Sequence, residues 1–360
     1  MTTPILGFLT PWIIYAVISV LHYALPARKV TGYVRDSETG ELLKYRLNGR
    51  LVLVLSMGLW FLLGYLGWVD YGWLYSIRWW SLAGAFVLGL IFTLFIVLPH
   101  SSTGKPMGAD LFLGRLENPQ WFNGRVDAKM WLYLIGAVML ELNALSFTAH
   151  HFLEFGAEAN PGIVLCTLMI TYFVFDYLTF EEVHLYTYDF FAERVGFKLG
   201  WGCLVFYPHF YSIALWATAD LPHPGIANWQ LVLYALIFLS GWTIARGANM
   251  QKFYFKTHPQ RSFMGITPQT ITDGNKTLLV NGFWGASRHI NYLGEIVMGC
   301  GIALAVGYPS MIWPWLYPLY YVALLFPRQL DDDKRCAAKY GSLWQQYVQK
   351  VKYRIIPFIY

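Results

Sequence analysis

The chain has 360 residues, 56% of them hydrophobic, 18% aromatic and only 13% charged, with a formal net charge of +5. Soluble domains carry about 25% charged residues, so there is too little charge to cover a globule in water, and the small basic excess, kept in loops, does not suggest nucleic acid. The apolar residues come in blocks of about 20, the length that spans a hydrocarbon core. The chain therefore reads as an all-α integral membrane protein, a polytopic bundle of about nine or ten transmembrane helices.

In chain order, apolar spans are predicted at residues 5–25, 51–69, 81–99, 130–147, 162–178, 199–219, 230–245, 292–306 and 311–325. The first Lys or Arg is Arg28, so the leading apolar run lacks the charged start of a signal peptide and reads as a retained helix. Loop charge alternates. Arg28, Lys29, Arg35, Lys44, Arg46 and Arg50 follow the first span, and Lys105, Arg115, Arg125 and Lys129 the third. Arg194 and Lys198 follow the fifth and the basic residues from Arg246 to Arg288 the seventh, whereas the opposite loops hold only Arg78. The positive-inside rule then makes the basic loops and the C-terminus cytoplasmic.

Trp60, Trp68, Trp73, Trp79, Trp80, Trp229, Trp313 and Trp315 cluster at span ends as interfacial belts. Residues 28–50, with Asp36-Ser37-Glu38-Thr39-Gly40, read as a polar cytoplasmic turn or hairpin. Cys166, Cys203, Cys300 and Cys336 have no paired spacing, which argues against disulfides and a metal site. No internal repeat is visible.

Four groups of residues have chemical potential. Lys252 and Lys256, at i and i+4 just after the seventh span, put two ammonium groups on one helix face. They suit a phosphate, or an ordinary lipid headgroup. Next, Gly282-Phe283-Trp284-Gly285 is followed by Arg288-His289-Ile290-Asn291-Tyr292. Trp284 could stack on a flat ring and Arg288 clamp a phosphate with its planar fork; the bland reading is a helix entry with interfacial anchors.

Arg328, Asp332 and Cys336, at i, i+4 and i+8, share a helical stripe and are followed by Lys339, Tyr340 and Tyr347. The carboxylate could hold a ribose hydroxyl, or the segment could be a solvated juxtamembrane helix. Last, Asp176, Glu181, Glu182, His184, Tyr186, Tyr188 and Asp189 gather near the cytoplasmic end of the fifth span, where a carboxylate kept from water would act as an acid. Glu141, His150 and His151 are weaker candidates. The first 248 residues then read as a transmembrane bundle on the substrate side, and residues 249–360 as a cofactor-binding hairpin with juxtamembrane helices, its pocket facing the cytoplasm.

Several motifs, in order, resemble the sterol reductase family, which includes the C14, C7 and C24(28) double-bond reductases and the membrane part of the lamin B receptor. They are Gly114-Arg115-Leu116-Glu117-Asn118-Pro119 with Asp127-Ala128-Lys129, Gly196-Phe197 to Tyr211-Ser212, and Asn249-x-Gln251-Lys252. The Trp284-Gly285-x-x-Arg288-His289-x-Asn291-Tyr292-x-Gly294 box, Cys336-x-x-Lys339-Tyr340-Gly341 and Tyr353-Arg354-Ile355-Ile356-Pro357-x-x-Tyr360 complete the set. The resemblance covers residues 108–360. Pro327-Arg328-Gln329-Leu330-Asp331-Asp332 departs from the family's His-Arg-x-x-Arg-Asp, Cys203 stands where Asp is common, and Glu295 replaces Asp.

The resemblance implies NADPH-dependent reduction of a sterol carbon–carbon double bond in sterol biosynthesis, in the endoplasmic reticulum of a eukaryote or the inner membrane of a bacterium. It also implies that Lys252, Lys256, Leu279, Trp284, Asn291, Tyr292, Asp332, the stretch from Cys336 through Lys339 to Tyr340, and Tyr347 line the cofactor pocket; Arg288 and Arg328 join them from the residue patterns above. An isolated alkene takes hydride only after protonation, so a donor is needed in a dry site. Tyr340 and Asp332 lead the candidates, with Glu182 and Tyr211 behind them. An isoprenylcysteine-type membrane methyltransferase shares the Arg-His box, and a non-enzymatic sterol-binding membrane protein is the third reading.

Overall fold

The computed structural model describes residues 2–36 and 39–360; Ser37 and Glu38 of the predicted turn lie outside them. Helix dominates, and sheet is confined to three two-stranded antiparallel pairs among the described residues. Among the described residues, five helices are long and apolar enough to cross a membrane: Pro4–Ala24, Arg78–Val97, Ala128–Glu158, Pro161–Thr179 and Asn228–Thr257. Gly49–Tyr65 and Ile290–Ala305 are shorter apolar helices. The predicted segment 311–325 forms the first half of the helix Ile312–Tyr340.

The segment predicted at 199–219 is helical but interrupted. Phe197–Trp201 runs into a π turn over Gly202–Phe206, then Tyr207–Phe210 and, after a turn, Ile213–Thr218. Pro208 is the cause: it has no N–H for the carbonyl four residues back, that of Leu204. The Tyr15 hydroxyl donates to that carbonyl instead, so the break is satisfied internally as a membrane interior requires.

The chain forms two compact units, Met1–Pro224 and Gly225–Tyr360. The expected boundary after residue 248 falls inside the continuous helix Asn228–Thr257. In the first unit the helix Ala128–Phe155 is the most enclosed. Asp127 caps it, its carboxylate accepting the N–H groups of Lys129 and Met130 at 3.0 Å. The buried Lys129 donates to the carbonyls of Asp189, Phe190 and Glu193 at 3.0, 2.9 and 2.7 Å. One ammonium therefore fastens residues 189–193, where the predicted acidic cluster ends, to the start of this helix.

In the second unit, Asn228–Thr257 and Ile290–Ala305 approach backbone to backbone. A Cβ at Gly241 would collide with Met298 N and Gly294 O, and one at Gly294 with Ala245 N and Gly241 O. Close small-residue seams of this kind are how membrane helices pack without a hydrophobic drive between them.

Candidate cofactor and active site

The site in the second unit begins in the last turns of Asn228–Thr257. Gln251 is buried; its Oε1 accepts the Phe283 N–H at 3.0 Å and its Nε2 donates to Asn281 O at 3.4 Å. Gly282 crosses this amide at φ +65°, leaving no room for a Cβ. A turn that tight, in the left-handed region, needs glycine. It delivers the short helix Phe283–Ala286, where the Trp284 indole donates to Ala248 O at 2.8 Å and Lys252 Nζ stands 5.4 Å from the indole centroid. The Tyr347 hydroxyl donates to Trp284 O at 3.3 Å. Lys256 is exposed one turn further on.

A second layer lies behind. Arg288 is buried, with Nη1 donating to Val351 O and Lys352 O at 3.0 and 3.1 Å and Nη2 3.5 Å from Asp333 Oδ2. Arg354 Nε and His289 Nε2 also face the Asp333 carboxylate at 3.5 Å. Burial opposes the charge on Asp333, but the facing His289 imidazole and the cations Arg288 and Arg354 prevail and hold its pKa below the ordinary value. The clamp read for Arg288 is thus directed at protein carbonyls and a carboxylate. It ties residues 351–354 to the Trp284 turn, aided by the N–H groups of Arg288 and His289 on Tyr353 O and Arg354 O.

Arg328, Asp332 and Cys336 do share the helix Ile312–Tyr340. Asp332 Oδ2 lies 3.7 Å from His289 Nδ1. Burial, reinforced by Asp332 and opposed by Lys252, pushes the Cys336 thiol up to about 12, so it stays protonated. Burial likewise raises Tyr347 against the pull of Arg288, which keeps its hydroxyl a donor. Tyr340 has the ammonium groups of Lys339 and Lys276 at 5.3 and 5.9 Å from its ring centroid and stacks toward Trp344. Leu279 is buried at the end of the hairpin Thr270–Thr272/Thr277–Leu279, and Tyr292 is buried with its ring stacked 5.1 Å from His289.

Asn291 donates to Asn249 Oδ1 at 3.4 Å, while its own Oδ1 is buried with no hydrogen-bond partner. An amide oxygen left so is costly unless a ligand supplies the donor. This set could hold an anionic ligand with a flat ring: Lys252 and Lys256 would meet phosphates, the Trp284 face a ring, and Asn291 an amide or hydroxyl hydrogen.

Two further candidates belong to the first unit. Tyr211 packs against the Tyr207 ring, centroids 4.7 Å apart. Glu182 pairs with Arg28 at 2.5 Å where Arg28 is 63% exposed, a solvated ion pair and not a carboxylate kept from water. Its neighbour Glu181 is the buried one. Its Oε2 accepts the Gly49 N–H at 2.9 Å, yet burial outweighs that bond and the charge of Arg28, lifting its pKa to about 7. Asp333, Gln251 and Arg354 were given no role from the sequence; all three lie in or beside the motif boxes, which was the available signal. Glu141 is buried and accepts from Thr171 at 2.8 Å.

Comparison with known proteins follows the whole chain. Residues 6–360 match the ergosterol biosynthesis ERG4/ERG24 family. The Delta(14)-sterol reductase of Arabidopsis thaliana is 31% identical over 361 residues, covering 96% of this chain and 94% of the relative. The Delta(14)-sterol reductase of Methylotuvimicrobium alcaliphilum is 31% identical, covering 89% and 76%, and Delta(14)-sterol reductase TM7SF2 of Mus musculus 32%, covering 98% and 86%.

Proposed function

This chain belongs to the ergosterol biosynthesis ERG4/ERG24 family, and from that premise we propose that it is a membrane oxidoreductase that reduces a carbon–carbon double bond of a sterol with NADPH. The bond at C14 is the first to test, because the relatives above carry that name. The observation that carries the cofactor half is the meeting of Lys252 with the Trp284 indole, in the unit where Asn291 Oδ1 has no partner.

Bound NADPH supplies hydride. The chain's own work is to bind, orient and protonate. Lys252 and Lys256 hold phosphate, and Trp284 offers a ring face fixed by its bond to Ala248 O. Asp332 and Tyr340 are the proposed proton side, and the tertiary cation formed on the alkene needs a water-free, aromatic-lined setting. The basic loops and C-terminus face the cytoplasm, and the apolar segments make nine spans, with 199–219 crossing as a broken helix. In a eukaryote the membrane is that of the endoplasmic reticulum, in a bacterium the inner membrane.

Purified protein incubated with NADPH and sterols unsaturated at C14, C7 or C24(28), read by mass spectrometry, tests this directly. Gain of two hydrogens at one position is expected, and Asp332→Asn should abolish most of it. No reduction of any sterol, with intact folded protein, would refute the reading. Methyl transfer from added S-adenosylmethionine to a prenylated cysteine, in the same preparation, would favour the methyltransferase instead.

A further inference from the structure

We propose that the hairpin formed by residues 28–47 in the first unit is a docking arm for the anionic phospholipid surface of the membrane that holds the protein. The strands Arg28–Arg35 and Leu42–Leu47 pair antiparallel, with Lys29 opposite Arg46 and Thr31 opposite Lys44. Alternation separates two faces. Gly32, Tyr45 and Leu47 are buried, Tyr45 and Leu47 clustering with Met130, Leu185 and Phe190. Gly32 is required there, because a Cβ would enter the Tyr45 ring. The opposite face carries Lys29, Thr31, Arg35 and Lys44, all exposed, with Arg46. No carboxylate shares those positions.

Like charges directly opposite across a strand pair repel, and among the described residues no carboxylate on this face offsets Lys29 and Arg46. An anionic surface would. The position fits that partner. Arg46 donates to the carbonyls of Tyr23 and Leu25 at 3.3 and 3.1 Å, where the first span ends, so the basic face begins at the mouth of that span. The hairpin is bounded by two apolar helices, Thr2–Ala24 and Gly49–Tyr65, which hold it at headgroup depth. Its other side clasps the segment after the helix Pro161–Thr179 through the pair Arg28–Glu182, and at the register shift between Thr31 and Arg35 the Tyr33 ring lies 5.7 Å from that of Tyr186. Lipid engagement of the arm therefore bears on the order of residues 181–190.

The test is hydrogen exchange of the full chain in nanodiscs of phosphatidylcholine alone or mixed with phosphatidylserine. A basic residue near an anionic surface contributes about 1 kcal/mol, roughly fivefold, so amides of both strands should exchange at least tenfold more slowly in the mixed discs. Lys29→Gln with Lys44→Gln should erase the difference and Lys29→Arg with Lys44→Arg preserve it, while peptides from Ala128–Phe155 stay protected as the control for folding. Equal exchange in the two disc types, or an undiminished difference in the glutamine variant, would overturn the proposal.

Discussion

Asp333→Asn should destabilise the second unit, whereas Asp332→Asn should not. Two guanidinium groups, Arg288 and Arg354, and the His289 imidazole converge on Asp333 at 3.5 Å, and Arg288 is only 4% exposed. Stripping a buried cation of its carboxylate costs about 3–5 kcal/mol in a fully buried pair. Here Arg354 is 38% exposed and Arg288 keeps its two carbonyls, so about 2 kcal/mol is the expected loss, a Tm drop of about 4–8 °C for a unit of this size. Thermal unfolding in detergent, with hydrogen exchange of residues 351–356 as the local readout, measures it. The sign with pH follows from the lowered pKa. The stabilisation is present above the unfolded value, near 4, and is lost as pH falls through the lower folded value. Wild type and Asp333→Asn should therefore differ at neutral pH and converge in strong acid. Equal melting of the two at neutral pH, or a larger loss in Asp332→Asn, would refute the account of Asp333 as the hub.

Three other outcomes are expected. Lys252→Gln should weaken NADPH binding about tenfold or more, the worth of a charge-assisted contact of roughly 1.5–3 kcal/mol, and leave NADH little changed in a calorimetric titration. Trp284→Ala should lose cofactor affinity, and Trp284→Phe, which keeps a ring but not the bond to Ala248 O, should retain most of it; full affinity in both variants would reduce Trp284 to an anchor. Glu181, with its pKa raised by burial to about 7, binds its proton more tightly folded than unfolded, so it favours the fold below the unfolded value and that contribution fades as pH rises through 7; Glu181→Gln should flatten this slope in pH-dependent melting.

The membrane class and the helical segments were legible because block length and apolarity are local properties. The motif boxes also pointed to one neighbourhood, where Lys252 meets the Trp284 indole and Asn291 donates to Asn249. The sequence could not choose between adjacent like residues. In Asp331-Asp332-Asp333, one carboxylate pairs with its own helix through Arg335 at 2.6 Å, one stands near His289 alone, and one gathers Arg288, Arg354 and the other side of the His289 ring. Those partners come from residues 288–289 and 354, distances along the chain that periodicity does not see. Glu181 and Glu182 divide the same way, one buried on the Gly49 N–H and one solvated with Arg28, because a helix start turns consecutive side chains about 100° apart. Arg288 was misjudged for a related reason. A guanidinium fork fits a phosphate and a pair of carbonyls equally well, and only the return of residues 351–354 decides which it holds. Side-chain type thus fixes what a residue can bind, while the partner is fixed by whichever distant segment fills the space beside it. On that ground Asp332 is the carboxylate we propose to test in catalysis: Asp331 faces Arg335, Asp333 faces Arg288 and Arg354, and Asp332 has the His289 imidazole at 3.7 Å.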